Sequence, residues 1–252
     1  MKKILVLTDF HVGSRFGLNH PEYLSEFEKK HSDSPMLYRN YCEVLDWAGK
    51  VDYVFFLGDA CDGWNPKEHG DDRVVEENIQ VEAAAKLVRM VKGSPKIYVC
   101  DGSDYHRGIR KLDELFAQRI DAEPHPVYAY RAFPEVTVKI EETTFNLAHY
   151  VTASTTTWQF RTTPAARELV LAKLNENPSK IILRGHAHYM VYAGFTSSLA
   201  MVCPGWQTKT PFMARRSPLN EPRWGTVKFT VDHEKWDWDK KTWKPKTTVI
   251  PG

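Results

Sequence analysis

Short apolar runs that end in acids or histidines alternate along this chain with longer amphipathic ones. The run Lys2–Leu7 has the uninterrupted apolar character of a strand buried on both faces, and Val51–Leu57 and Lys96–Cys100 repeat it. Helical patterns lie between them. Pro21–Lys30 reads as an exposed helix, and Ser34-Pro35, with Ser as N-cap and Pro at N1, opens another over Met36–Lys50. Arg73–Lys92 carries Val74, Val75, Ala84, Leu87, Val88 and Val91 on one face and is closed by Gly93; Ile109–Ile120 follows as a further helix. Beyond Pro126 the pattern changes. Val127–Phe133, Val136–Ile140 and Thr144–Val151 are strands at hairpin distances, so antiparallel pairing is expected there. Thr163-Pro164 opens a helix over Ala165–Asn175. Strand Ile181–Leu183 follows, then a hairpin of Tyr189–Phe195 with Leu199–Cys203, and a late strand Gly225–Val231. Alternating strand–helix units followed by hairpins predict an α/β protein, either a mixed sheet or a two-sheet sandwich with helices outside.

Composition narrows the class without choosing a function. A chain of 252 residues can bury a sizeable core as a single domain spanning 1–252. Its 42% hydrophobic and 26% charged residues are ordinary for a globular protein. A net charge of +2 is too mild for wholesale nucleic-acid or membrane binding, so any recognition of polyanions must come from local patches. No apolar stretch approaches the length of a membrane span, and the N-terminal apolar run breaks at Thr8-Asp9-Phe10-His11, too soon for a signal peptide. Cys42, Cys61, Cys100 and Cys203 are scattered and form no Cys-x-x-Cys pair. Reduced, mostly buried thiols in a cytoplasmic protein are expected, rather than a disulfide framework or a zinc-thiolate site.

The chemistry gathers where strands end. Asp9-Phe10-His11 follows the first buried strand and Gly58-Asp59-Ala60-Cys61-Asp62 the second; Asp101-Gly102-Ser103-Asp104-Tyr105-His106 follows the third. His149 closes a later strand, and Gly185-His186-Ala187-His188 another. Ligands of open α/β sheets bind at the carboxyl ends of strands, so these five clusters can converge on one cleft. Carboxylates with imidazoles, and no thiolate cluster, suit a hard or borderline divalent cation: Mn, Fe, Zn, Ni or Co. Residues two apart, as in Asp-x-His and His-x-His, can point into one site where the backbone is extended or turning. Glycines before Asp59 and His186 let the chain turn sharply as it leaves its strand.

In this order the motifs resemble the calcineurin-like metallophosphoesterase family, in its small bacterial and phage-type members. The resemblance runs from Asp9 to His188, leaving 189–252 for second-sheet hairpins and a C-terminal tail. It implies a four-layer αββα sandwich of two mixed sheets, with two divalent metal ions at the strand ends. Asp9, His11 and His188 would hold the first metal, His149 and His186 the second, and Asp59 would bridge them. Asp62 would orient a ligand without binding metal itself. The third motif departs from the family pattern, Gly-Asn-His: no asparagine is present and the histidine is displaced by two residues. Either Ser103 or Asp104 replaces the asparagine, or the second site has lost a ligand. His106 would then take the place of the family histidine.

Two such metals would share a bridging hydroxide that attacks phosphorus in line with the leaving oxygen, with His106 as the catalytic imidazolium. Arg15 and Arg184 are candidate phosphate-binding groups. The first expectation is thus a phosphodiesterase acting on nucleotides or nucleic acid. One alternative is a phosphomonoesterase, including a phosphoprotein phosphatase; another is a non-catalytic binding module on the same fold. Arg215-Arg216, with Trp236, Trp238 and Trp243 interleaved among Lys235, Lys240, Lys241 and Lys244, reads in two ways. It is a stacking and phosphate-tracking surface for single strands, or an amphipathic hairpin with aromatics in and lysines out. The loop Cys61–Asp72 follows a metal ligand directly and is placed to overhang the cleft.

Overall fold

A computed structural model describes residues 1–64, 75–151, 163–195, 197–216 and 221–245, apart from the side chains of Glu77, Asn78 and Arg216. Eleven strands among these residues form two mixed sheets. The first has the order β11-β10-β1-β2-β3-β4: β1 (Lys2–Leu7), β2 (Tyr53–Phe56), β3 (Lys96–Cys100) and β4 (Ala132–Phe133) run parallel. The antiparallel hairpin β10 (Trp224–Asp232) and β11 (Lys235–Trp243) joins it along β1. The second has the order β5-β6-β7-β9-β8, from β5 (Glu135–Ile140), β6 (Thr143–Ala148), β7 (Ile181–Arg184), β8 (Val191–Phe195) and β9 (Ser198–Val202). Here β6, β7 and β9 are parallel, and β5 and β8 are antiparallel edges.

Side-chain alternation along β1 separates the layers. Leu5 and Leu7 face α2 (Ser34–Ala48), α3 (Glu77–Arg89) and α5 (Leu112–Arg119), where Leu37, Tyr41, Val44, Leu87, Val88 and Phe116 complete one core. Ile4 and Val6 face the second sheet, and meet Phe145, Leu147, Ile181, Leu183 and Met201 in a core between the sheets. On the far side, Ile182 and Ala200 pack on Ala165 of α6 (Thr163–Leu174). The result is the expected α/β sandwich of two mixed sheets flanked by helices. The remaining helices, α1 (Glu26–His31), α4 (Asp104–Arg107) and α7 (Pro211–Arg216), are short.

Several elements differ from expectation for identifiable reasons. Over Pro21–Lys30 the chain forms a 3-10 turn, Pro21–Tyr23, then α1, because Ser25 and Glu28 make a capping box that starts a new helix. Asp33 takes the N-cap position of α2, one residue before Ser34, whose hydroxyl instead donates to Gly17 O at 2.9 Å. Helix α3 ends at Arg89, before Gly93; Arg73 and Val74 lie outside the described residues, as does the loop Cys61–Asp72 beyond Trp64. Ile109–Ile120 is helical only from Leu112, since Lys111 at φ 52° starts a new element. The strand expected over Val127–Phe133 shrinks to β4, paired in parallel with β3 rather than in a hairpin; exposed Val127 and Tyr128 have no sheet neighbour to cover them. Nor does all of 189–252 join the second sheet. Strands β8 and β9 do, but β10 pairs with β1 and covers what would otherwise be the free edge of the first.

The terminal hairpin takes the amphipathic form. Trp236 and Trp238 pack on the intersheet core and Trp243 on the helix-side core, while Lys235, Lys240 and Lys244 face solvent. All four cysteines are free thiols, with Cys61, Cys100 and Cys203 buried. No helix among the described residues is long and apolar enough to cross a membrane.

Candidate metal centre

The parallel strands of both sheets deliver their carboxyl ends to one place. Trp206 N, just beyond β9, donates to Asp9 O at 2.9 Å, and His186 N donates to the Asp9 carboxylate at 3.1 and 3.2 Å. His149 Nδ1, after β6, donates to Leu57 O after β2 at 2.7 Å. Loops from β1, β2, β6, β7 and β9 are thereby sewn across the gap between sheets.

Three groups of possible donors result among the described residues; one, His11 with Asp62 and His106, shares His11 with the first of two further sets. Asp9, His11 and His188 form the first, all buried; Asp59, His149 and His186 form the second, with His186 at the exposed rim. In the first, His11 Nε2 and His188 Nε2 lie 3.8 and 3.6 Å from Asp9 Oδ1. Donors bound at roughly 2.0–2.2 Å to one cation would sit about 3.0–3.6 Å apart, so a small inward movement closes this shell. In the second, His149 Nε2 lies 3.1 Å from Asp59 Oδ2 and 3.2 Å from His186 Nδ1.

The backbone is unusual at these positions. Asp9, His11, Asp59, His186 and His188 all have positive φ, between 45° and 68°. This left-handed region is disfavoured for residues with a Cβ, though Asp and His tolerate it better than most. Five such residues in one cleft imply strain of several kcal/mol in total, held by the surrounding hydrogen bonds. Gly58, at φ +92°, supports the turn into Asp59 as expected. Gly185 has a different reason: a Cβ there would stand 2.4 Å from Thr8 Oγ1 and 3.1 Å from Asp9 Oδ2.

Hydrogen bonds fix which imidazole nitrogen faces inward. His11 Nδ1 donates to Asp62 Oδ1 at 3.2 Å, leaving Nε2 turned to Asp9, buried and without a hydrogen-bond partner. An orphaned buried nitrogen costs about 1–3 kcal/mol, and a cation would satisfy it. His149 is oriented likewise by Leu57 O. This donor chemistry, with no thiolate and with His11 and His149 each pre-set by a partner, fits a divalent metal site.

Charge is tuned to match. Burial opposes ionisation of Asp9 and Asp59, but His188 and His149 respectively, with other imidazoles nearby, hold both carboxyls well below the usual range. Burial likewise opposes charge on His11, yet its hydrogen bond to Asp62 and the nearby carboxylates of Asp9 and Asp59 lift it to about 10. Asp59 raises His149 to about 9 against the same penalty. His188, lacking a close hydrogen bond, is pushed down to about 3 by burial, with His11 and His186 adding to it. His186 is lowered by burial and by His149.

The remaining sequence candidates separate. Ser103 touches the second set through Asp59: its N donates to Asp59 Oδ1 at 2.7 Å and its Oγ lies 3.1 Å from both Asp59 oxygens. It is also the N-cap of α4, accepting from His106 N. Asp104 points outward, exposed and paired with Arg107. Asp62 braces His11, and its backbone carbonyl accepts from His106 Nδ1 at 2.8 Å. His106 is thereby held edge-on to His11, with ring centroids 4.4 Å apart. Arg15 Nε is buried and unpaired beside the site's first loop. Arg184 faces α6 rather than the cleft, with its guanidinium committed to a buried ion pair with Glu168 at 2.7 Å.

Three contributors escape the motif pattern. Thr8 Oγ1 donates to Asp9 Oδ2 at 2.6 Å. The half-exposed ring of Tyr150 packs 4.9 Å from His186. Asp113 is buried behind Asp59; its place beside Phe116 and Ala117 on the apolar face of α5 is the signal that could have found it.

No family model matches the chain, and no curated protein matches it in sequence. Solved structures with a similar chain path include Vps29 of Entamoeba histolytica complexed with Zn2+, at 13% identity over 96% of this chain and 98% of that one, TM-score 0.47. An archaeal phosphodiesterase is similar at 10% identity over 95% and 99%, TM-score 0.47. A predicted phosphoesterase of Streptococcus pneumoniae is similar at 13% identity over 97% and 98%, TM-score 0.39.

Proposed function

We propose that this protein is a cytoplasmic, metal-dependent phosphodiesterase acting on nucleotides or nucleic acid. The observation that carries the reading is the pair of donor sets at the strand ends, with five of six donors in left-handed backbone. Asp9, His11 and His188 would hold one divalent cation, and Asp59, His149 and His186 a second. Two cations so held would supply Lewis acidity, lowering the pKa of a water and polarising a phosphoryl oxygen. Manganese is the first ion to try, since the set is oxygen and imidazole only.

The chain's own residues supply the rest. Asp62 and Leu57 O fix the tautomers of His11 and His149, so neither imidazole must reorganise. His106, its Nδ1 committed to Asp62 O, keeps Nε2 free to hold a proton for the leaving oxygen. Arg15, four residues past His11, is the cation we assign to a non-bridging phosphate oxygen. The Tyr150 ring beside His186 offers a surface on which a base can stack, which favours a nucleotide over a small phosphate.

A second reading, a non-catalytic binding module, is favoured by Ser103 alone, because a neutral hydroxyl is a weaker donor than the family's asparagine. One experiment separates them. Metal-free protein reconstituted with Mn2+ should bind two ions per chain and hydrolyse bis-p-nitrophenyl phosphate faster than p-nitrophenyl phosphate. Asp59→Asn and His186→Ala should abolish both rates. Metal uptake without turnover on either ester would sink the enzymatic reading; a faster monoester rate would turn it to a phosphomonoesterase.

A further inference from the structure

Asp113 is a fully buried carboxylate on α5 that makes no ion pair among the described residues. Its two oxygens are divided between two loops. Oδ1 accepts from Ala60 N and Oδ2 from Gly102 N, each at 3.0 Å. Ala60 follows Asp59, and Gly102 precedes Ser103. The same two loops meet again one residue along, where Ser103 N and Oγ hold the Asp59 carboxylate. Asp59 is therefore fixed from two sides: directly by Ser103, and through the backbone by Asp113. The fit leaves no slack, since a methyl on Gly102 would stand 2.2 Å from Asp59 Oδ1 and 2.6 Å from Asp113 Oδ2.

Burying a carboxylate beside another costs free energy. Burial and the charge of Asp59 together push the Asp113 carboxyl up to about 7. An apolar residue would serve better if α5 needed only to pack, as Leu112 and Phe116 on either side already do. What an apolar residue cannot do is accept two backbone N–H groups from separate strand ends. The hollow between α3 and α5 lined by Val81, Arg110 and Leu115 has nothing to show what fills it, and the His125, Tyr128 and Tyr130 rings stack on one another and on Phe133.

We infer that Asp113 is a positioning residue for the second metal: it locks the β2 and β3 loops in register so that Asp59 and Ser103 face His149 and His186. The inference rests on the metal-centre reading. The first donor set, Asp9, His11 and His188, takes none of its donors from these two loops and meets the β2 loop only through Asp62 and the backbone, so the effect should fall chiefly on the second.

The test is metal titration by calorimetry on metal-free wild type and Asp113→Asn, with melting followed in parallel. Asparagine keeps the shape but turns an N–H toward one of the two backbone donors. The second Mn2+ should bind about 10- to 100-fold more weakly in the variant, and the first within about twofold of wild type. Equal weakening of both, or of neither, overturns the inference. Hydrogen exchange on wild type decides the matter should the variant not fold. Coupling is reciprocal, so the second equivalent of metal, not the first, should slow exchange at the Ala60 and Gly102 amides. Protection that follows the first equivalent, or no metal, overturns it as well. Wild type that takes up no metal overturns the metal-centre reading itself, a different result from wild type and variant binding alike.

Discussion

Replacing Gly102 with alanine tests how tightly the strand-end loops are packed around Asp59. The added Cβ would sit 2.2 Å from Asp59 Oδ1, 2.5 Å from Asp59 N and 2.6 Å from Asp113 Oδ2. Ordinary contact begins near 3.4 Å. A carboxylate could swing aside, but a backbone nitrogen cannot, so the β2 and β3 loops must part by roughly an ångström. That movement stretches Ser103 N–Asp59 Oδ1 from 2.7 Å and Gly102 N–Asp113 Oδ2 from 3.0 Å beyond useful length. Each is a bond to a carboxylate worth about 1.5–3 kcal/mol, so the loss is roughly 3–6 kcal/mol, less whatever water recovers. Taking about 3 kcal/mol as the net, melting should fall by roughly 6–12 °C for a chain this long. Gly49→Ala is the control. Its φ is +64°, yet nothing lies within 4 Å of the new methyl, so it reports backbone strain alone, about 1 kcal/mol. Differential scanning fluorimetry and metal content on both variants give the comparison. Gly102→Ala should lose the second metal and melt lower than Gly49→Ala. A Gly102→Ala protein with wild-type melting and two tightly bound ions would refute the packing argument.

Metal binding should also release protons, in a number set by the site. At pH 7 the metal-free protein carries His11, at about 10, and His149, at about 9, as imidazoliums, while His188, at about 3, is neutral. Binding needs the neutral ring, so each set should expel about one proton and bind about tenfold more weakly for each pH unit lowered below 9. Calorimetry in buffers of different ionisation enthalpy counts them, and a count near zero would contradict the assigned protonation. Arg15→Ala should lower kcat/KM for the diester roughly tenfold, mostly through KM, while leaving melting and metal content unchanged. A loss of metal instead would make Arg15 a structural residue.

The contrast between Arg184 and Asp59 shows what a linear sequence reveals about such a site. Both follow buried apolar runs, and both are polar residues at a strand's end. Alternation already separates them: Ile181 and Leu183 face the core between sheets, so Ile182 and Arg184 face α6, where Glu168 meets the guanidinium. Asp59 escapes that rule because its strand has ended and its φ of 53° turns the side chain out of the pleat. The two donor groupings were legible because each donor sits just past a strand, where residue type alone suggests a ligand. The choice between Ser103 and Asp104 was not legible. Helix capping accounts for where the two side chains go: the N-cap serine turns its hydroxyl back toward Asp59, and Asp104, the first residue of α4, points to solvent. Asp113 lay further out of reach, since its partners are backbone amides 53 and 11 residues away, and amides carry no mark in a sequence. Side chains that bind declare themselves by type and place; those that hold the binders in position are read from a carboxylate on an apolar helix face, and then only once the fold shows what it touches.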